Sequence, residues 1–162
     1  MKTLIVYDSA YGNTKRVAHH IATTLGPDAT ASRADVLAPG ALAGIDLLIA
    51  GSPTQGGQPT PAMRRWLEAL PADALNGIHV AAFDTRLPFD GMGLPGVLIR
   101  LIGFAAPRLR DQMVAKGGID ATAPAGFLVD GKEGPLHAGE LEAAADWART
   151  LLPAEATSRD AA

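Results

Sequence analysis

The residues best suited to chemistry stand in Ser9-Ala10-Tyr11-Gly12-Asn13-Thr14. This run of hydroxyl, amide and glycine joins the apolar Leu4-Ile5-Val6 to a helical pattern that opens with Lys15-Arg16-Val17-Ala18. A continuous apolar run marks a strand buried on both faces. A buried strand turning directly into a helix gathers backbone N–H groups, the positive helix end and side-chain donors at one point. That is an anion site, most simply a phosphate site. The run lacks the Lys-Ser/Thr ending of a nucleotide triphosphate loop and the three spaced glycines of a dinucleotide turn. The competing reading is an ordinary strand–helix turn with a Ser, Asn or Thr cap.

Two further loops follow apolar strands in the same way. Asp46-Leu47-Leu48-Ile49-Ala50-Gly51 runs into Ser52-Pro53-Thr54-Gln55-Gly56-Gly57-Gln58-Pro59, and Ile78 to Phe83 runs into Asp84-Thr85-Arg86-Leu87-Pro88-Phe89. Loops at the carboxyl ends of buried parallel strands are where open α/β sheets bind ligands, and in the order 2-1-3-4-5 these three converge on one crevice. Gly91-Met92-Gly93-Leu94-Pro95-Gly96 satisfies G-x-G-x-x-G as a string. It closes on no strand and holds a proline, so it is read as a connection.

The elements that must position these loops alternate along the chain. The pattern predicts a helix from Asn13 to Leu25 with Val17, Ala18, Ile21, Ala22 and Leu25 on its packed face, stopped by Gly26-Pro27. Thr30 to Leu37 reads as an edge strand. Thr60-Pro61 opens a helix whose apolar stripe is Met63, Trp66, Leu67 and Leu70, with Trp66 in the core. Leu94 to Ala106 reads as one buried helix interrupted by Pro107, the alternative being a partly exposed docking patch. Strand residues are expected around Ala121-Thr122 and Gly126 to Val129, then a loop from Asp130 to Leu136. A last helix spans about Ala138 to Leu152. His19 and His20 diverge on a helix and read as a surface pair, and His79 as a hydrogen-bonded core or edge residue.

With 162 residues the chain is one domain, placed at 1–152, and Pro153 to Ala162 is expected to be a disordered tail. A net charge of −3 gives no electrostatic case for nucleic acid as a partner. The absence of cysteine excludes disulfides, thiolate metal sites and thiol chemistry. No run reaches the ~18 apolar residues of a membrane span, and Lys2 to Val6 is too short for a signal peptide, so a cytoplasmic protein is the expectation. No catalytic or metal-ligating residue is assigned. The class is α/β, a three-layer doubly wound fold on a five-stranded parallel sheet.

The loop Ser9 to Thr14 resembles the Ser/Thr-x-Thr/Tyr-Gly-Asn-Thr phosphate loop of flavodoxins, and Gly51-Ser52-Pro53-Thr54 with Gly57 to Pro61 resembles their second flavin loop and following helix. The resemblance is to the short-chain type and implies FMN as cofactor. By position, Ser9, Tyr11, Gly12, Asn13 and Thr14 would bind the FMN phosphate. Ser52, Pro53, Thr54, Gln55, Gly56 and Gly57 would line the ring's edge and one face, while Asp84, Thr85, Arg86 and Leu87 would border the other. Two readings of Arg86 stand side by side: a cation offered to the ring's N1–O2 edge, or a solvated residue on the rim. Flavodoxins usually stack the ring between aromatics and are strongly acidic. This chain has Gln55 and Leu87 at those places, Phe89 as the nearest ring, and only mild acidity.

Three functions follow from the resemblance. An FMN electron-transfer protein would serve a redox partner protein, and a small FMN oxidoreductase would serve a quinone-like acceptor. A flavodoxin-fold interaction protein would have lost its flavin. A phosphotransfer receiver shares the strand order but needs an acid where Ser52 stands and a pair of acids where Asp8 is alone.

Overall fold

A computed structural model describes residues 1–38, 40–88 and 96–154. The expected connection at Gly91–Gly96 and Phe89 fall largely outside the described residues, as does the tail beyond Ala154. Three strands form the centre: β1 (Thr3–Tyr7), β3 (Leu47–Pro53) and β4 (His79–Arg86), with β2 (Ala29–Arg33) on the outer side of β1. All pair in parallel. Thr3 lies beside Leu47 and Leu47 beside His79, so the strands start level; β1 ends at Tyr7, beside Gly51 and level with Phe83, while β3 runs on to Pro53 and β4 to Arg86. The three loops that follow therefore leave the same end of the sheet in steps, the first after Tyr7 and the third after Arg86.

The fifth position of the order 2-1-3-4-5 is filled by two short pieces. β5 (Ile119–Asp120) pairs with the start of β4 and β6 (Ala125–Leu128) with its end. Between the rungs Val80–Asp120 and Phe83–Ala125 the chain takes five steps against three on β4, a bulge of two extra residues. Ala121-Thr122, expected as strand, lie in that bulge. The edge strand expected over Thr30–Leu37 stops at Arg33 and tightens into a 3₁₀ turn at Ala34–Val36.

Alternation along the central strands divides the core. Ile5, Tyr7, Ile49, Ala81 and Phe83 face α1 (Asn13–Leu25) and α5 (Glu140–Arg149), packing on Val17, Ile21, Ala144 and Ala148. Leu4, Val6, Leu48, Ala50, Val80 and Ala82 face the other way, onto Met63 and Leu67 of α2 (Pro61–Ala69) and Leu109 and Met113 of α4 (Ala105–Ala115). Each fully buried side chain of this size contributes about 1.5–3 kcal/mol, which is why these runs are continuously apolar. Trp66 packs against the second cluster as expected. The helix α2 opens with Thr60 accepting from the Met63 N–H and Pro61 in the first turn, where a missing N–H costs nothing.

The expected single helix over Leu94–Ala106 is two. α3 (Gly96–Ile102) ends before Gly103, whose φ of +77° breaks the helix. α4 then begins at Ala105, and Pro107 falls in its first turn, so it starts this helix rather than interrupting one. Val97 and Leu101 on α3 are exposed, contrary to the buried reading. His79 also is exposed, because it is the first residue of β4, at the open end of the sheet. No helix of the described residues is long and apolar enough to cross a membrane.

Candidate functional site

The three loops enclose a cleft of about 570 Å³ at the carboxyl ends of β1, β3 and β4. From the first loop Ser9, Tyr11, Asn13 and Thr14 line it, from the second Pro53, Thr54, Gln55 and Gly56, and from the third Thr85, Arg86 and Leu87. Ala10, Val129 and Lys132 complete the wall and were not legible from the sequence. Val129 and Lys132 come from the segment after β6, more than a hundred residues from the loop they face.

Each first-loop residue has a distinct task. The Ser9 hydroxyl accepts from the N–H of Gly12 at 3.0 Å and of Lys15 at 3.3 Å, which curls the loop against the helix start. Its own proton remains available to an acceptor. Gly12, with φ of +93°, turns the chain into α1 and has no side chain to offer the cleft. The first intrahelical bond runs from the Arg16 N–H to the Gly12 carbonyl, so the N–H groups of Asn13 and Thr14 have no acceptor among the described residues. The Thr14 hydroxyl is buried and bonds that of Thr85 at 2.8 Å, tying the first loop to the third. The Asn13 amide is turned to the segment after β6, donating to the Glu133 carbonyl at 3.1 Å. Beneath the loop, Arg33 bonds the Asp8 carboxylate at 3.0 Å and the Ser9 carbonyl at 3.4 Å. Its pKa is raised, first by its bond to Asp35.

In the second loop Gln55 and Gln58 bond each other's backbone at 2.9 and 3.0 Å around Gly56-Gly57. Positive φ at both glycines, +55° and +79°, suits a tight two-residue hairpin turn. Ser52 and Gly57 do not line the cleft. The buried Ser52 hydroxyl accepts from the Thr60 N–H and donates to the Pro53 carbonyl, fixing the loop to α2. The Gly57 carbonyl accepts from Arg108 Nε at 2.9 Å and its Cα lies against Ile102. Both residues shape the loop from behind.

Asp84 likewise is behind the wall, fully buried. Its carboxylate accepts from Arg86 Nε and Nη2 at 2.6 and 2.8 Å and from the Ala106 N–H at 2.8 Å. Arg86 is thus a paired cation that lines the cleft, rather than a solvated residue standing alone on its rim. Its guanidinium lies 3.7 Å from the centroid of the Phe104 ring. A Cβ on Gly126 would collide with it on β6. Lys132 is the second cation on the wall, and among the described residues no Asp or Glu lines the cleft. Among the described residues no cluster of His, Asp or Glu could hold a metal. His19 is exposed and lies edge-on to Tyr7, in keeping with a surface role.

The donor set fits a phosphate: two uncapped N–H groups, the hydroxyls of Ser9 and Thr14, a helix start and a nearby cation. Leu87, Val129 and Pro53 supply apolar wall for a flat ring.

No protein-family model matches the chain, and no curated protein matches its sequence. Solved structures do match. Oxidised flavodoxin 1 from Bacillus cereus aligns at 17% identity with TM-score 0.71, covering 93% of this chain and 97% of its own. A flavodoxin from the domain Archaea aligns at 17% with TM-score 0.74, covering 93% of this chain and 96% of that one. The flavodiiron core from Synechocystis aligns at 21% with TM-score 0.69, over 98% of this chain but 36% of its own. Since the two flavodoxin likenesses run nearly the full length of both chains, and this sheet has the order 2-1-3-4-5, the protein has a flavodoxin-like fold.

Proposed function

We propose that the cleft binds FMN and that the protein carries electrons to or from a redox partner protein. The observation that carries this reading is the single cleft at the carboxyl ends of β1, β3 and β4, where one uncapped helix start stands beside two polar loops. One helix start suits one terminal phosphate, and among the described residues no second dinucleotide half-site stands beside it. The flavodoxins with similar structures support the same cofactor. Bound FMN would supply one- and two-electron transfer. The chain would hold its phosphate with the Asn13 and Thr14 N–H groups and Ser9, and shield its ring with Leu87, Val129 and the Gln55–Gly56 turn.

A second reading, a small FMN oxidoreductase with a quinone-like acceptor, is favoured by one observation. Among the described residues the cleft is lined by the cations Arg86 and Lys132 and by no carboxylate. Positive surroundings ease the gain of negative charge by a reduced flavin, which suits a flavin that accepts electrons and passes them on.

Titration of the flavin-free protein with FMN, FAD and riboflavin, followed by fluorescence quenching, tests the cofactor. The expected result is saturable binding of one FMN, tighter than riboflavin. Binding of none of the three would leave the interaction-protein reading standing. With FMN bound, reoxidation by a soluble quinone in many turnovers would favour the enzyme over the carrier.

A further inference from the structure

We propose that Lys132 is a phosphate-selecting cation, held at the first turn of α1 by a loop that Asn13 clips in place. The inference rests on the FMN reading and adds a recognition element from the far end of the chain.

The loop between β6 and α5 is a tied structure. Val129 and Leu136 bridge at its base, the Asp130 N–H reaches the Pro135 carbonyl at 2.9 Å, and the His137 N–H reaches the Leu128 carbonyl at 2.9 Å. The Asp130 carboxylate and the His137 ring meet at 2.6 Å across the same base. A further turn, Gly134 N–H to the Gly131 carbonyl at 3.0 Å, shapes its tip. That tip is docked on α1. The Asn13 amide donates to the Glu133 carbonyl at 3.1 Å, and a Cβ on Gly134 would stand 2.7 Å from the same amide. Lys132, one residue before the docking carbonyl, consequently lines the cleft together with Ser9, Tyr11, Asn13 and Thr14.

The two cations on the wall differ in what they have left to give. Arg86 is neutralised by the buried Asp84. Lys132 enters no ion pair or hydrogen bond among the described residues, so its ammonium keeps all three donors for a ligand. A phosphate monoester carries nearly two negative charges at pH 7. A helix start alone offers it partial charges that act within one turn. A full positive charge beside that start discriminates a phosphorylated ligand from the same ligand without phosphate.

The test uses the flavin-free full chain and its Lys132→Gln and Lys132→Arg variants, each titrated with FMN and with riboflavin at low and high salt. Lys132→Gln is expected to lose about tenfold in FMN affinity, to keep its riboflavin affinity, and to show a weaker salt dependence. Lys132→Arg restores most of the loss. Inorganic phosphate should shift the amide resonances of Asn13 and Thr14 in the wild type, and less in Lys132→Gln. Lys132 is exposed, so unchanged thermal unfolding is expected of both variants. Equal losses for FMN and riboflavin, or an unaltered FMN affinity in Lys132→Gln, overturn the inference while leaving the cofactor reading intact. A wild-type protein that binds no FMN removes the reading itself.

Discussion

Arg86 grips Asp84 through two parallel hydrogen bonds, 2.6 and 2.8 Å, although the residues are only two apart on one strand. Residues at i and i+2 share a face of the sheet, and here the shared face meets the start of α4. The carboxylate is fully buried, and its third bond, from the Ala106 N–H, fastens that helix to β4. Removing one partner of such a pair strands a charge in the interior, at about 3 kcal/mol or more. Arg86→Gln should therefore lower the melting temperature by about 6–12 °C at this chain length. Pairing it with Asp84→Asn should recover part of the loss. Thermal unfolding of the two single variants and the double variant measures the coupling, and strictly additive losses would contradict it.

Gly126 makes the same arrangement possible from the other side, since any side chain there meets the Arg86 guanidinium. Gly126→Ala should cost stability comparable to Arg86→Gln. Added to Arg86→Gln, it should cost much less. Chemical denaturation midpoints of the three proteins decide it.

The Thr14 and Thr85 hydroxyls bond each other at 2.8 Å in a buried place. Thr14→Val should destabilise the fold by about 1–3 kcal/mol, because it leaves the Thr85 hydroxyl without its partner. Thr14→Val with Thr85→Val should be milder than the single change, as two apolar groups of like shape replace the pair. Unfolding free energies test the stability. Loss of FMN affinity is expected in both proteins, since the hydroxyls line the cleft.

His137 has a pKa raised above the ordinary value, chiefly by its hydrogen bond to Asp130 and also by the charges of Asp130 and Glu140. The folded value lies above the unfolded one, so the stabilisation is fully present below about pH 6.5. It is lost as pH rises through the raised value. The loop bearing Lys132 should accordingly exchange its Asp130 and His137 amide protons faster, relative to intrinsic rates, above that pH than below it. Ring-proton NMR should place the His137 midpoint above ~6.5, and Asp130→Asn should return it toward that figure. An unchanged midpoint in Asp130→Asn would show that the ion pair does not form.

The centre of this molecule was readable because its strands are buried on both faces. Leu4–Val6, Leu47–Ala50 and Val80–Phe83 carry no polar residue, and a polar loop follows each at once. The edges read poorly for the opposite reason. Two- and four-residue strands hold too few side chains to establish a period, so the strand placed at Ala121-Thr122 sits two residues late, past the end of β5. Pro107 was misread because a proline stops one helix and starts another with equal ease. At the cleft, residue types were legible but not their orientation. Ser52, Gly57 and Asp84 were expected to face the ligand, yet they lie behind the wall and bond neighbouring segments, while Asn13 lines the cleft but turns its side-chain amide to Glu133. Lys132 carried no signal at all, since only the folded chain brings it to Asn13.

The two extra residues between β5 and β6 also decide how this edge of the sheet meets other molecules. A foreign strand adding itself there would find two paired residues, then Ala121-Thr122-Ala123-Pro124 out of step, then four more in a shifted phase. Pro124 offers no N–H, and the Ala123 carbonyl is already taken by the Trp147 indole at 3.2 Å. No continuous ladder can form on such a template. The rim of the sheet that ends beside the cleft is thereby closed to strand-by-strand aggregation.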